Sequence, residues 1–236
     1  MNRLQCLQYV ADRYGSRVYL EIGVRAGGTF LRVRVPRKIG VDPAGLGLRA
    51  RLASVAEYSA NFRLRFFTVT SDEFFERHAA STFSRRRIDL AFIDGKHTYE
   101  QALRDITNVL AWLSPRGVVV VHDANPATEA QAWPAESPEE AARIWADEAR
   151  DGWCGDVWKA IVHLRGARPD VGLLTVADDF GLAVLNPRLR TPPVGVDVQD
   201  LTSLSFVDLD RHREQWLQLG TADDLEAWLA RDPALA

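Results

Sequence analysis

Two apolar runs, LAFI at 90–93 within IDLAFID and VVVV at 118–121 within GVVVVHD, limit the folds open to this chain more than any other feature. A strand with one wet face alternates apolar and polar residues, whereas a strand covered on both faces reads as a continuous apolar run. Both segments therefore predict interior strands of a sheet with helices on either side. The residues between them supply the covering helix: Tyr99, Ala102, Leu103, Ile106, Val109, Leu110 and Leu113 recur at helical spacing. Thr98 and Gln101 have the spacing of a capping box, and Pro115 and Gly117 stop the helix. Strand, helix and strand in this order predict parallel strands joined by a right-handed crossover.

The same alternation runs upstream. Leu4, Leu7, Tyr9 and Val10 predict a leading helix, followed by strands at 18–22, 38–42 and 63–70, and a helix opening at Thr70 with Glu73 as its capping partner. Residues 47–60 have helical composition, and Thr29–Pro36 fits helix or loop equally. Downstream, helices are expected near 138–150 and over DVWKAIVHLRG. VGLLTVA and GLAVLNP then form an antiparallel pair around Asp178 and Asp179, and Phe206 to Leu229 reads as one amphipathic helix. The expected class is α/β: a doubly wound, Rossmann-like, mainly parallel seven-stranded sheet with a C-terminal antiparallel strand pair and helices on both faces. With 236 residues and no low-complexity stretch, one domain over 1–236 is expected. Its parts are an N-terminal helix (1–16), a ligand-binding half (17–123), a substrate loop (124–156) and the closing strands and tail (157–236).

Composition removes several function classes. A formal net charge of -3 with scattered basic residues leaves no electrostatic footprint for nucleic acid. No run approaches the roughly 20 apolar residues of a membrane span, and the first residues, MNRLQCLQYVADRYG, lack the apolar core of a signal peptide. Two cysteines, Cys6 and Cys154, are too few for a disulfide framework and have no zinc-type spacing. A cytoplasmic protein acting on a small molecule, with neither nucleic acid nor membrane as partner, is expected.

Ligands of doubly wound sheets bind beyond the carboxyl ends of the strands. That rule places Glu21, Asp42, Ser71, Asp72, Asp94, His122 and Asp123 along one edge. Glu21 precedes a glycine-rich turn containing Gly23 and Gly27, and Asp42 lies about 20 residues on, where a ribose would present its hydroxyls. Asp42 also fits a simple turn before Pro43, and Asp72 a simple helix-dipole partner. A phosphate-binding Walker loop needs Lys and then a hydroxyl after its last glycine, yet Thr29 and Phe30 follow Gly28. The dinucleotide spacing GxGxxG is absent as well, which disfavours a nucleotide-cofactor oxidoreductase.

The turn GVRAGG resembles motif I of class I S-adenosylmethionine-dependent methyltransferases. FIDGKHTYEQALRD from Phe92 to Asp105 and RGVVVVHD from Arg116 to Asp123 resemble a small bacterial branch of cephalosporin-hydroxylase-like and natural-product or sugar O-methyltransferases. The resemblance implies S-adenosyl-L-methionine as co-substrate, with Glu21, Gly23 and Gly27 shaping its methionine side. It also implies Asp42 on the ribose, Ser71 and Asp72 beside the adenine, and Asp94 between cofactor and acceptor. Arg116 stands where that branch often has glycine.

A methyl acceptor oxygen of low acidity needs a base, and His122 and His97 are the imidazoles on this edge. His122 is preferred because its strand fixes it, whereas His97 lies on a loop. Some relatives use a divalent cation, so Asp94 and Asp123, with Asn125, are candidate ligands for Mg2+. Each acid could equally hold a helix N-terminus, and each histidine could be a hydrogen-bonded structural residue. Trp133, Trp153 and Trp158 fall in or beside the substrate loop, where they could line an acceptor pocket or simply pack. Trp112, Trp145, Trp216 and Trp228 read as core or homodimer contacts. A non-catalytic protein that binds S-adenosylmethionine is the further alternative.

Overall fold

The computed structural model describes residues 1–47, 63–145 and 152–235. They group into two compact units: an N-terminal one from Asn2–Gly95 and Asp105–Val120, and a C-terminal one from Lys96–Arg104 and Val121–Ala236 together with Met1.

The N-terminal unit opens with α1 (Arg3–Tyr14), whose capping box pairs Asn2 with Gln5 and whose last turn closes on left-handed Gly15. Five strands follow: β1 (Val18–Ile22), β2 (Arg37–Val41), β3 (Arg63–Phe67), β4 (Ile88–Ile93) and β5 (Leu113–Val121), in the spatial order β3-β2-β1-β4-β5. The pairs β1–β2, β2–β3 and β1–β4 are parallel. The chain winds outward from β1 to β3 and then returns to the other side of β1, which creates a switch point between β1 and β4. Every residue of β1 is buried, and in β4 only Asp89 is not. Asp89 accepts the N–H groups of Arg17 and Val18, both at 3.0 Å, and the Ser114 hydroxyl at 2.7 Å. Its carboxylate is therefore satisfied at the opposite, amino-terminal edge.

Thr70 caps the next helix as expected, its hydroxyl accepting from Glu73 N. That helix runs as α2 (Ser71–Glu73), a π-helical segment (Phe74–His78) and α3 (Ala79–Phe83). Then α4 (Tyr99–Trp112) connects β4 to β5, with Tyr99, Ala102, Ile106 and Val109 buried. β3 ends at Phe67 rather than residue 70, and β5 starts at Leu113 rather than Gly117. Thr29–Pro36 forms successive turns around the fully buried Phe30, Val33 and Val35. Beyond Gly47, the helix expected over 47–60 lies outside the described residues.

The C-terminal unit contains α5 (Pro138–Trp145), α6 (Val157–Ala167), β6 (Gly172–Val176), β7 (Leu182–Asn186), α7 (Phe206–Leu217), β8 (Leu219–Gly220) and α8 (Ala222–Leu229). β6 and β7 pair antiparallel as expected. The two-residue β8 adds an eighth strand to the seven expected and lies parallel to β6. The single tail helix is corrected to two. Gln218 adopts a left-handed conformation that ends α7, and the Thr221–Asp224 capping box starts α8.

Nearly all of α6 is buried, which explains its lack of a polar face. Trp158 stacks on Trp216 at 6.4 Å and 10°, so it belongs to this core rather than to the substrate loop. The buried Arg165 donates to the carbonyls of Gln215 (2.9 Å) and Pro192 (2.7 Å), meeting the otherwise unsatisfied carbonyl end of α7. Among the described residues no helix is long and apolar enough to cross a membrane.

Candidate active site

At the switch point the parallel ladder continues one step past the strands. Gly23 N donates to Val41 O (3.0 Å), Asp42 N to Phe67 O (3.1 Å) and Asp94 N to Ile22 O (2.9 Å). Gly23, Asp42 and Asp94 thus leave the sheet at the same level of the N-terminal unit, with Glu21 two residues below. Gly23 has φ +84°, and a Cβ there would lie 1.8 Å from the Asp94 carbonyl oxygen. Only glycine fits, because the end of β4 presses against it. Gly27 packs beside Leu31 and Leu46.

Glu21 is 1 % exposed. The Tyr19 hydroxyl, two residues away on the same strand face, donates to its carboxyl at 2.5 Å. Burial pushes the Glu21 carboxyl up from 4.5 to about 8; the Tyr19 bond opposes this, Asp94 adds to it, and Lys38 opposes it. Burial and the Glu21 charge also hold the Tyr19 hydroxyl above its ordinary value. Lys38, buried at the start of β2, donates to the carbonyls of Phe30 and Leu31, both at 2.9 Å.

Asp42 accepts Arg25 N at 2.6 Å on one carboxylate oxygen and Ala44 N at 2.8 Å on the other. It thereby organises both the glycine turn and its own turn. Ser71 is buried at the start of α2, beside Asp72 in the first turn. Asp94 takes a 3.1 Å ion pair from Arg3.

The remaining candidates lie in the C-terminal unit. Asp123 has φ +60°, an uncommon conformation for a residue with a side chain. Its Oδ2 lies 2.9 Å from His122 Nδ1 and 3.2 Å from His97 Nε2, so one oxygen faces both imidazoles. On its far side, His122 Nε2 lies 3.6 Å from Asp179. His97 sits on a loop but is held: Nδ1 is 2.8 Å from the Trp153 carbonyl, and the ring stacks on the Trp153 indole at 5.1 Å and 24°. Asn125 turns elsewhere, its amide oxygen accepting from Arg213 at 2.6 Å. Trp153 Nε1 donates to Trp133 O (2.8 Å), and Trp133 meets Trp145 edge-on, forming a small apolar cluster with Ala135 and Ala141.

Several participants were not foreseen. Tyr19 was legible in principle, since alternate strand residues share a face. Arg3, Asp179 and Arg213 come from distant segments and carry no local signal.

A doubly wound sheet whose switch point gathers a glycine turn, a buried acid and a second acid one strand away has the features at which sheets of this class bind ligands. Residues 20–124 match the family model Methyltransf_24, described as a methyltransferase domain, and that span contains Glu21, Asp42, Asp94, His97, His122 and Asp123. No curated protein matches the sequence. Among solved structures it is similar to a putative O-methyltransferase from Klebsiella pneumoniae, with TM-score 0.55, 13 % identity and 78 % of each chain covered. It is similar to the O-methyltransferase TomG from Streptomyces achromogenes, solved with S-adenosylmethionine, at TM-score 0.52, 15 % identity and 78 % of each chain. An O-methyltransferase from Bacillus cereus, in complex with S-adenosylhomocysteine, gives TM-score 0.50 and 15 % identity over 78 % of this chain and 79 % of that one. The fold is that of these methyltransferases.

Proposed function

We propose that this protein transfers a methyl group from S-adenosyl-L-methionine to an oxygen of a small molecule, a sugar or secondary metabolite, in the cytoplasm. The observation that carries the reading is the strand-end row of Glu21, Gly23, Asp42 and Asp94, which lies inside the segment matching the methyltransferase family. Asp42 fits the ribose: each carboxylate oxygen holds one backbone N–H and retains a lone pair for a hydroxyl. Glu21 fits the ammonium of the methionine moiety, because a cation beside a buried carboxyl favours its charged form. Ser71 and Asp72, following β3, are assigned to the adenine.

The acceptor oxygen displaces the sulfonium in line: the O–C bond forms as the C–S bond breaks, and its electron pair stays on sulfur. Most of the acceleration comes from holding oxygen, carbon and sulfur in line. The acceptor's proton passes to His122, whose Nδ1 lies 2.9 Å from the Asp123 carboxylate. Asp123 also fits a divalent cation as an oxygen ligand. When bound, such an ion would lower the pKa of the acceptor hydroxyl and orient it. The oxygen of Asn125, the third ligand expected from the sequence, accepts from the Arg213 guanidinium at 2.6 Å.

Calorimetric titration with S-adenosylhomocysteine and, separately, NAD tests the reading. Binding of the first alone is expected; binding of NAD in its place would transfer the protein to the nucleotide-cofactor oxidoreductases. Retained S-adenosylhomocysteine binding without methylation of any member of a broad acceptor panel would leave a non-catalytic binder.

A further inference from the structure

Each of the five strands of the N-terminal unit carries an arginine at the end away from the Glu21, Gly23, Asp42 and Asp94 row. We propose that this amino-terminal edge of the sheet is a docking surface for an acidic α-helical segment of another protein, about four turns long. It lies at the opposite end of the strands from the methyl-transfer site and stands or falls independently of that reading.

In the spatial order β3-β2-β1-β4-β5 the arginines are Arg63, Arg37, Arg17, Arg87 and Arg116. Arg63 and Arg37 open their strands as register partners, and Arg17 and Arg87 stand immediately before Val18 and Ile88. Arg37 N donates to Arg17 O at 3.1 Å. A Cβ on Gly117 would lie 2.7 Å from the Ile88 carbonyl oxygen, which brings Arg116 level with Arg87. Neighbouring strands are about 4.8 Å apart, so the five positions form a rim roughly 19 Å long. Along the chain they are 20 to 29 residues apart and look scattered; the sheet lines them up. The charge is segregated as well. Residues 2–95 and 105–120, the N-terminal unit, hold 17 Lys and Arg against 10 Asp and Glu, a net of +7, whereas the rest of the chain holds 12 against 22, a net of -10.

Part of the rim serves the fold, because crossover helices end at this edge and their last carbonyls attract cations. Arg37 donates to Thr82 O (2.7 Å) at the end of α3, and Arg87 donates to Ala111 O at the end of α4. Those bonds leave a surplus. Arg17, Arg63, Arg65, Arg85 and Arg86 are exposed, and none of them forms an ion pair with a carboxylate among the described residues. Asp89 at this edge already accepts Arg17 N, Val18 N and the Ser114 hydroxyl. Burial, and then the charges of Arg65, Arg63 and Arg86, hold the Arg37 guanidinium below its ordinary value, so these guanidinia stand close enough to repel. Carboxylates of a partner relieve that repulsion. The spacing selects a helix: carboxylates three or four positions apart on one helix face lie about 5 to 6 Å from each other, near the strand spacing. In an extended segment same-face carboxylates lie about 6.6 Å apart and fall out of step with the rim. A row of roughly 19 Å corresponds to about 13 helical residues. A bilayer or a long nucleic acid runs past so short a rim and is repelled by the net -10 of the same chain.

The full-length protein is titrated, by fluorescence anisotropy, into a labelled alanine-based helical peptide of about 16 residues with glutamates along one face. Binding is expected at ~50 mM salt and should weaken ~10-fold or more by ~300 mM. Reversing three exposed rim charges together, Arg17→Glu, Arg63→Glu and Arg116→Glu, should weaken it ~10-fold or more, and Arg85→Glu with Arg86→Glu, between α3 and β4, is a second variant with the same expected direction. A peptide of equal charge whose helix is broken by two central prolines should bind ~3-fold or more weakly than the helical one. No binding at ~50 mM salt, equal binding of the proline peptide, or wild-type affinity in both variants overturns the proposal. So does tighter binding of a uridine oligonucleotide of equal charge or of phosphatidylserine vesicles, which would give the surface to nucleic acid or membrane. The wild-type comparisons decide the matter even if a variant fails to fold.

Discussion

Replacing Glu21 by Gln tests the electrostatic core of the cofactor site. The Glu21 carboxyl is raised from 4.5 to about 8, chiefly by burial, so between these values the folded protein holds a proton that the unfolded chain releases. The stability contributed by this group is fully present below pH 4.5 and is lost as pH rises through 8. At 1.36 kcal/mol per pKa unit, the full window corresponds to about 5 kcal/mol, and the steepest slope to about 1.4 kcal/mol per pH unit. Glu21→Gln has nearly the same shape and still offers the Tyr19 hydroxyl an acceptor, but it does not ionise. Urea unfolding of both proteins at intervals from pH 4.5 to 9 should therefore show the variant gaining steadily on the wild type and levelling off above pH 8. A stability difference that does not change with pH would refute the reasoning. The same proton reports on the ligand. If the ammonium of S-adenosylhomocysteine pairs with Glu21, its binding near pH 7 should expel close to one proton from the wild type and none from the variant, measured by calorimetry in buffers of different ionisation enthalpy.

Asp42→Ala should weaken S-adenosylhomocysteine binding by about 1.5 to 3 kcal/mol, the worth of hydrogen bonds to a charged group, and unchanged affinity would remove Asp42 from the ribose position. His122→Ala should lower the methylation rate ~10²-fold or more at saturating cofactor; near-normal turnover would rule it out as proton acceptor. Gly155→Ala combines left-handed strain with a collision against the His97 carbonyl and should cost about 2 to 4 kcal/mol of unfolding free energy. Gly15→Ala, strained but with nothing within 4 Å, should cost only about 1 to 2 kcal/mol. Equal melting temperatures for the two variants would contradict the packing of Gly155 on His97.

Which parts of this protein were legible in its sequence follows from the range of the forces involved. The interior strands announced themselves because a backbone buried on both faces admits only apolar side chains, and the helix over Tyr99 to Trp112 because one face must repeat at its turn spacing. Parallel strands all end at one edge, so the strand pattern alone places Glu21, Asp42 and Asp94 on a common rim. The tail was misread as a single helix because apolar spacing alone does not reveal a left-handed residue such as Gln218, even though the Thr221–Asp224 cap was present in the sequence.

What sequence alone determined, then, was the order of strands and helices and the row of residues at their ends, since both follow from local periodicity and from the geometry of crossover connections. Only the tertiary structure decided what those residues touch. It brought the Trp153 carbonyl from 56 positions away onto His97 Nδ1, and Asp179 to His122. It gave the Asn125 oxygen to Arg213, 88 residues distant, and set Gly23 against the backbone of Asp94. Such contacts depend on how remote segments pack, and no neighbouring residue along the chain encodes them.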